Sequence, residues 1–325
     1  MIGRCDKSSP YGWSIAAVAN HTVLGNGYLL DADRRPVTYR GSTTPSPLPK
    51  WKRREIFKYR LMSRLSFARP MRADRLTWLC RRNSRNYFHW TIEVLPKLCI
   101  LEFMDWKEPI VIDRHFLEKA WVREALELFP DLNFFFLPRY KEIRVQTLFL
   151  VDEGDFASRA ARRTVSPQNA MVLKRMREFL LSSLKAKPTD RRVKRVHISR
   201  QKDSRKIANI REVRNVLDRF GFEEVYLQDL SLRDQLFLMS NAEVVFAPHG
   251  AGLTNTIFMQ EGAKVLEVKH ARKYPQDFGF QGLSRSVGVS HDILESEGAV
   301  GRNDDFHIDP AELEKKLAEI IGAVP

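Results

Sequence analysis

Cysteine is scarce: Cys5, Cys80 and Cys99 are the only three among 325 residues. So few and so scattered, they make neither a disulfide framework nor a C-x-x-C metal knuckle, and they point to a reducing compartment with the thiols as packing residues. Long hydrophobic runs are also missing. No stretch reaches the roughly 18 apolar residues that span a bilayer, and the N-terminal MIGRCDKSSPYGWS has no apolar signal core, so a soluble, cytoplasmic chain is expected. No internal repeat or low-complexity tract is visible. The eight histidines are dispersed, no metal-ligand spacing stands out, and no metal is expected. The nucleophile-elbow pattern G-x-S-x-G is absent, which weakens any esterase reading of the HGAG turn described below.

Positive charge, by contrast, is abundant. Lys and Arg number 54 against 40 Asp and Glu, a formal +14, and 43% of residues are hydrophobic. At roughly 150 residues per domain the chain accommodates two, expected at 1–165 and 166–325. The charge is uneven: residues 50–85 hold 13 basic side chains against Glu55 and Asp74, a net +11. Such a block suits a nucleic acid, an anionic membrane face or a polyanionic substrate.

The hydrophobic period changes along the chain. Residues 15–40 read as a hairpin with turn chemistry at Asp31 to Pro36, and 41–49 as a proline-rich loop. After the basic segment, LTWLC, NYFHWTIEVLPKLCILEF, EPIVID, FLEKAWVREALELF, NFFFL and TLFLV alternate strand and helix. Ser166-Pro167 opens a helix. From Val193, strands VKRVHIS, EEVYL, EVVFAP and KVLEV alternate with helices, the first carrying Asn209, Glu212 and Gly221 as cap signals and the second Ser231 and Asp234. This is a parallel, Rossmann-type pattern. The last helix, after Asp309-Pro310, is expected to act as a clasp.

Four groups of residues could carry chemistry. Pro248-His249-Gly250-Ala251-Gly252-Leu253-Thr254-Asn255 lies between a buried strand and a helix, where small residues let backbone N–H groups approach a diphosphate. Arg200, Arg205 and Lys206 follow the first strand of the same half, at the strand end where ligands of open α/β sheets bind. Glu267, closing KVLEV, suits ribose hydroxyls. His89 and Glu93, at i and i+4, share one helix face and suit proton transfer with an acceptor hydroxyl, flanked by Asn86, Tyr87 and Trp90 as hydrogen-bonding and stacking groups. Asp31-Ala32-Asp33 matches the D-x-D of metal-dependent sugar transferases, but its setting is that of a turn.

Together, N-Y-F-H-W-T-I-E-V-L-P (86–96), I-S-R (198–200), A-P-H-G-A-G-L-T-N (247–255) and V-L-E-V (265–268) resemble family 61 glycosyltransferases, whose bacterial members are often labelled capsular polysaccharide biosynthesis proteins. The resemblance implies a GT-B fold of two Rossmann-like domains facing a cleft. It also implies inverting transfer from a nucleotide-activated sugar, UDP being the expected carrier, with no cofactor and typically no essential metal. Arg200 and the His249 to Gly252 loop would hold the diphosphate, Glu267 the ribose, and His89 with Glu93 the acceptor; either of the last two could be the base. A glycan or lipid-linked acceptor and a peripheral position at the inner membrane face are the expected partner and place. A nucleic-acid binder using Trp51, Phe57, Tyr59 and Phe67 among the basic residues is the alternative, but it leaves the motifs unexplained. An inactive relative serving as a membrane-surface scaffold is a third reading, which the intact His89, Glu93 and Arg200 oppose.

Overall fold

The computed structural model describes residues 2–8, 13–25, 27–39, 46–47, 50–65, 70–152, 165–184, 193–270, 279–296 and 305–322. The chain divides into two compact units, Met1–Ala161 and Arg162–Pro325.

Unit 1 holds a nine-stranded mixed sheet: β1 (Ile2–Ser8), β2 (Ser14–Leu24), β3 (Tyr28–Leu30), β4 (Pro36–Thr38), β5 (Ser46–Pro47), β6 (Met71–Trp78), β7 (Ile110–Asp113), β8 (Phe134–Leu137) and β9 (Glu142–Asp152). The order is β5-β4-β3-β2-β9-β6-β7-β8, with β1 also on β2. Only β9-β6-β7-β8 is parallel. The Rossmann-like pattern expected for this half therefore covers one side of the sheet, and the other side is antiparallel. The cause is β2, which pairs along its length with β9 from Ser14↔Asp152 to Leu24↔Glu142. Its outer edge is shared by β1 and β3.

The hairpin expected over 15–40 is a three-strand meander turning at Gly25–Gly27 and again at 31–35. In the second turn Asp31 Oδ1 accepts from the Arg35 N–H at 2.8 Å, and Arg34 adopts φ +61°. Asp31-Ala32-Asp33 is thus a turn, as its setting suggested.

The basic segment is split among helix α1 (Lys50–Leu65), β6 and a 3₁₀ turn at Arg82–Arg85. Among the described residues Arg75 pairs with Glu108, Arg81 with Glu93, Arg82 with Glu55 and Arg85 with Glu118. Helices α2 (Tyr87–His89), α3 (Leu95–Phe103) and α4 (Ala120–Leu126) complete the unit. Cys80 and Cys99 are buried free thiols.

Unit 2 is a five-stranded, all-parallel sheet of β10 (Arg195–Ile198), β11 (Glu223–Val225), β12 (Val244–Pro248), β13 (Lys264–Lys269) and β14 (Ser290–Glu295), in the order β11-β10-β12-β13-β14. The chain leaves β10 for β11 on one side and returns to β12 on the other. Loops diverging at such a switch point open the crevice in which ligands of α/β sheets bind.

The helices are α5 (Pro167–Ser183), α6 (Ile210–Arg219), α7 (Leu232–Asn241), α8 (Phe280–Ser286) and α9 (Pro310–Ile321). Ser166 and Ser231 cap as expected, each hydroxyl accepting the N–H three residues on, and Gly221 ends α6 at φ +67°. Asn209 departs from its capping role and instead bonds both the N–H and the carbonyl of Ile308. The expected clasp, α9, is a layer of its own unit: Leu313, Leu317 and Ile320 share a core with Val213, Val216, Leu217 and Phe220. Burying that stripe is what seats the helix there.

Candidate active site

The loops after β10 and β12 are brought together at the switch point. Arg200 leaves β10, its Nε–H donating to the Ser204 carbonyl at 3.0 Å and its Nη2 to Asp203 Oδ2 at 2.8 Å. So held, the guanidinium crosses Gly250. A β-carbon built there would collide with Nη1 and lie 3.0 Å from Cζ, whereas Gly250's own φ of 172° is extended backbone open to any residue. The glycine is therefore a matter of space for Arg200. Beyond it, Ala251–Phe258 forms a 3₁₀ helix instead of the α-helix expected.

The other residues expected on the donor are placed differently. Thr254 and Asn255 are buried, and Asn255 Nδ2 donates to Gln235 of α7 at 3.1 Å, fastening the loop from within. Arg205 adopts φ +60°. Lys206 is exposed, with its backbone paired to Asp305 and Phe306.

Glu267, expected on the ribose, is buried and engaged at both oxygens, by His249 Nδ1 and by His291 Nε2 at 2.9 Å. Burial would raise its pKa, but the two histidine hydrogen bonds and their charge outweigh that and bring it down to about 2. The chain continues inward. Thr256 donates to the Leu253 carbonyl and Ser284 to Thr256, and Ser284 Oγ sits 2.9 Å from His291 Nδ1. The His291 ring is thus held at both nitrogens, between Ser284 and Glu267. Glu267 thus fixes the ring of His249 at the mouth of the loop.

In unit 1, Asn86 opens the helical run, Oδ1 accepting from the Phe88 N–H at 2.9 Å. Pro96 brings no N–H, and the turn before it widens into a π segment, Trp90–Val94, closed by the Leu95 N–H on the Trp90 carbonyl. On that run His89 Nδ1 donates to Glu93 Oε1 at 2.8 Å, with side-chain exposures of 26% and 6%. Arg81 Nη1 lies 3.7 Å from Glu93 Oε2. With Nδ1 committed to the carboxylate, Nε2 is the remaining ring nitrogen of His89. Tyr87 meets Trp121 edge-on at 5.4 Å. Trp90, expected to stack on a sugar, is a core residue packed edge-on against Phe116 and Trp121. Among the described residues no group of three or more His, Cys, Asp or Glu could hold a metal ion, and no helix is long and apolar enough to cross a membrane.

The family model for glycosyltransferase 61 matches residues 87–266, more than half of the chain. The chain belongs to glycosyltransferase family 61. Sugar transfer is accordingly its class of reaction. Its similarity to curated relatives is partial. The EGF domain-specific O-linked N-acetylglucosamine transferase of Drosophila melanogaster is 25% identical over 144 residues, covering 43% of this chain and 27% of the relative. The protein of that name from Gallus gallus is 33% identical over 125 residues, covering 37% and 23%. The chain therefore spans about a quarter of the length of the relatives it matches.

The family 61 segment contains His89, Glu93, Arg200 and the His249 to Gly252 loop, and ends one residue before Glu267. Three residues that support the site escaped the sequence reading: Arg81 and His291, outside that segment, and Asp203, inside it. Arg81 lay within a run of basic residues that gave it no distinction. His291 carried one faint signal, a histidine at an inward position of the alternating strand SHDILE.

Proposed function

We propose that this glycosyltransferase moves a sugar with inversion, and without an obligatory metal ion, from a UDP-linked donor to a glycan or lipid-linked acceptor in cell-surface polysaccharide synthesis. The observation that carries the reading is Arg200 lying across Gly250 at the switch point of a parallel sheet. There its guanidinium supplies the bidentate positive charge that a departing diphosphate requires. His249, fixed by Glu267, stands beside it.

On the acceptor side His89 Nε2 takes the hydroxyl proton, while Glu93 holds the ring and stabilises the imidazolium that forms. The acceptor oxygen bonds to the anomeric carbon, the bond from that carbon to the phosphate oxygen breaks, and the nucleoside diphosphate leaves. The GT-B arrangement implied by the family resemblance belongs to this reading, as does a peripheral position at the inner membrane face. A screen of nucleotide sugars for thermal stabilisation and hydrolysis tests it, with the product's anomeric configuration read by NMR and the rate measured with and without EDTA. UDP binding with inverted product and EDTA-insensitive turnover is expected; a retained anomeric configuration or no nucleotide binding would overturn it.

A further inference from the structure

Unit 1 contains a cavity of about 590 Å³ that the transfer step does not use, walled by α1, the Arg82–Arg85 turn, His115, Glu118 and the β8–β9 turn. Its wall is closely fitted, since a β-carbon at Gly25 would lie 2.6 Å from the Pro138 carbonyl and 2.9 Å from the Tyr59 hydroxyl. Four cations line it, Lys58, Arg82, Arg85 and Arg139, against two carboxylates. Both carboxylates are taken: Arg82 Nε meets Glu55 at 2.7 Å and Arg85 meets Glu118 at 3.4 Å. Among the described residues neither Lys58 nor Arg139 has a carboxylate partner. Arg139 rests its face on the Tyr140 ring, which leaves the guanidinium edge to donate. His115 Nδ1 is buried and has no hydrogen-bond partner among the described residues. Two of the lining residues are apolar and exposed, Leu61 and Met62 at 48% and 46%, and Phe57, a turn earlier on α1 but outside the lining, is 69% exposed.

Two exposed cations on the wall, without a carboxylate partner among the described residues, and exposed apolar side chains of α1 together fit an anion attached to hydrocarbon. We infer that this cavity binds a phosphate group carried on a lipid, Lys58 and Arg139 meeting its oxygens while Leu61, Met62 and Phe57 meet the first methylenes of the chain. A phosphate monoester carries close to two negative charges at neutral pH, which equals the excess on the wall. An acidic sugar would satisfy the cations but would leave those apolar side chains exposed. The inference rests on the transferase reading only in making that lipid phosphate part of the acceptor; the binding itself involves neither Arg200 nor the His89–Glu93 pair.

The test titrates the full chain with decyl phosphate below its micellar concentration, beside inorganic phosphate, glucuronate and decyl maltoside. Decyl phosphate should bind at least about tenfold tighter than the other three, since each buried methylene adds to the charge contact. Lys58→Gln and Arg139→Gln should each weaken it several-fold with UDP affinity unchanged. The His115 ring gives an independent readout. Burial holds its pKa down to about 4, with the Arg85 and Arg139 charges adding to that and Glu118 opposing them, and a bound dianion should move it upward in an NMR titration. Decyl phosphate binding no tighter than phosphate or glucuronate, or full affinity in both variants, would overturn the inference. Loss of this binding with UDP binding intact leaves the transferase reading standing, and loss of UDP binding alone strikes only that reading.

Discussion

In unit 1 His89 donates through Nδ1 to Glu93, and in unit 2 His249 meets Glu267 through the same nitrogen, yet the surroundings differ. The first pair stands at a π-widened helix start, its imidazole a quarter exposed, with Arg81 Nη1 3.7 Å from the acid. The second is buried, its carboxylate shared with a second histidine that is itself tied to Ser284. A histidine with one nitrogen committed and the other open can accept and release a proton. A carboxylate clamped between two histidines instead resists titration and holds geometry. In the proposed reaction the first pair does the chemistry and the second the positioning.

Removing either member of the first pair should have the largest effect. His89→Ala should lower transfer by about 10²–10⁴-fold, the usual contribution of general acid–base catalysis. Glu93→Gln should come close to that, because the ring loses its orienting acid. Both should bind UDP as the parent does in a titration. Full transfer in either variant would remove the pair from the chemistry.

The second pair should show itself in stability. Glu267 has a folded pKa below its unfolded value, so its contribution is complete above about 4.5 and is lost as pH falls toward about 2. Over that window unit 2 should lose on the order of 2–3 kcal/mol, seen as faster amide exchange in β12 and β13. Glu267→Gln should be destabilised at pH 7 and flat through the same window. A variant that keeps the parent's acid dependence would show that another group causes it.

What the sequence revealed depended on distance along the chain. His89 and Glu93 are four residues apart, so helical spacing alone placed them on one face, and strand–helix alternation was enough to put Arg200 and the HGAG turn at one sheet edge. Glu267 could not be placed in this way. Its second partner, His291, is 24 residues away on the neighbouring strand, and only the β13–β14 register brings the two together. Likewise the antiparallel side of the first sheet comes from β2 pairing with β9, from Leu24↔Glu142 to Ser14↔Asp152, 118 to 138 residues apart. Trp90 was misjudged because composition shows that aromatics cluster but not which face they take, and its face is the core.

Arg200→Ala tests the donor side. Losing a charge-assisted hydrogen-bonding group costs about 1.5–3 kcal/mol, so UDP should bind roughly 10–100-fold more weakly while the His89–Glu93 pair is untouched. Unaltered UDP affinity would break the division between the two units.

Gly250→Ala sharpens the same point with the smallest change. At φ 172° alanine meets no backbone penalty, and the atoms in the way belong to the end of a long side chain. The fold should hold, with a melting temperature close to that of the parent. The Arg200 guanidinium, however, must swing off the loop and away from Asp203 and the Ser204 carbonyl. UDP affinity should then fall several-fold, less than in Arg200→Ala, because the charge stays but its aim is lost. If UDP bound Gly250→Ala as well as it binds the parent, the approach of Arg200 to the loop would not be what recognises the diphosphate, and the charge would have to act from farther away.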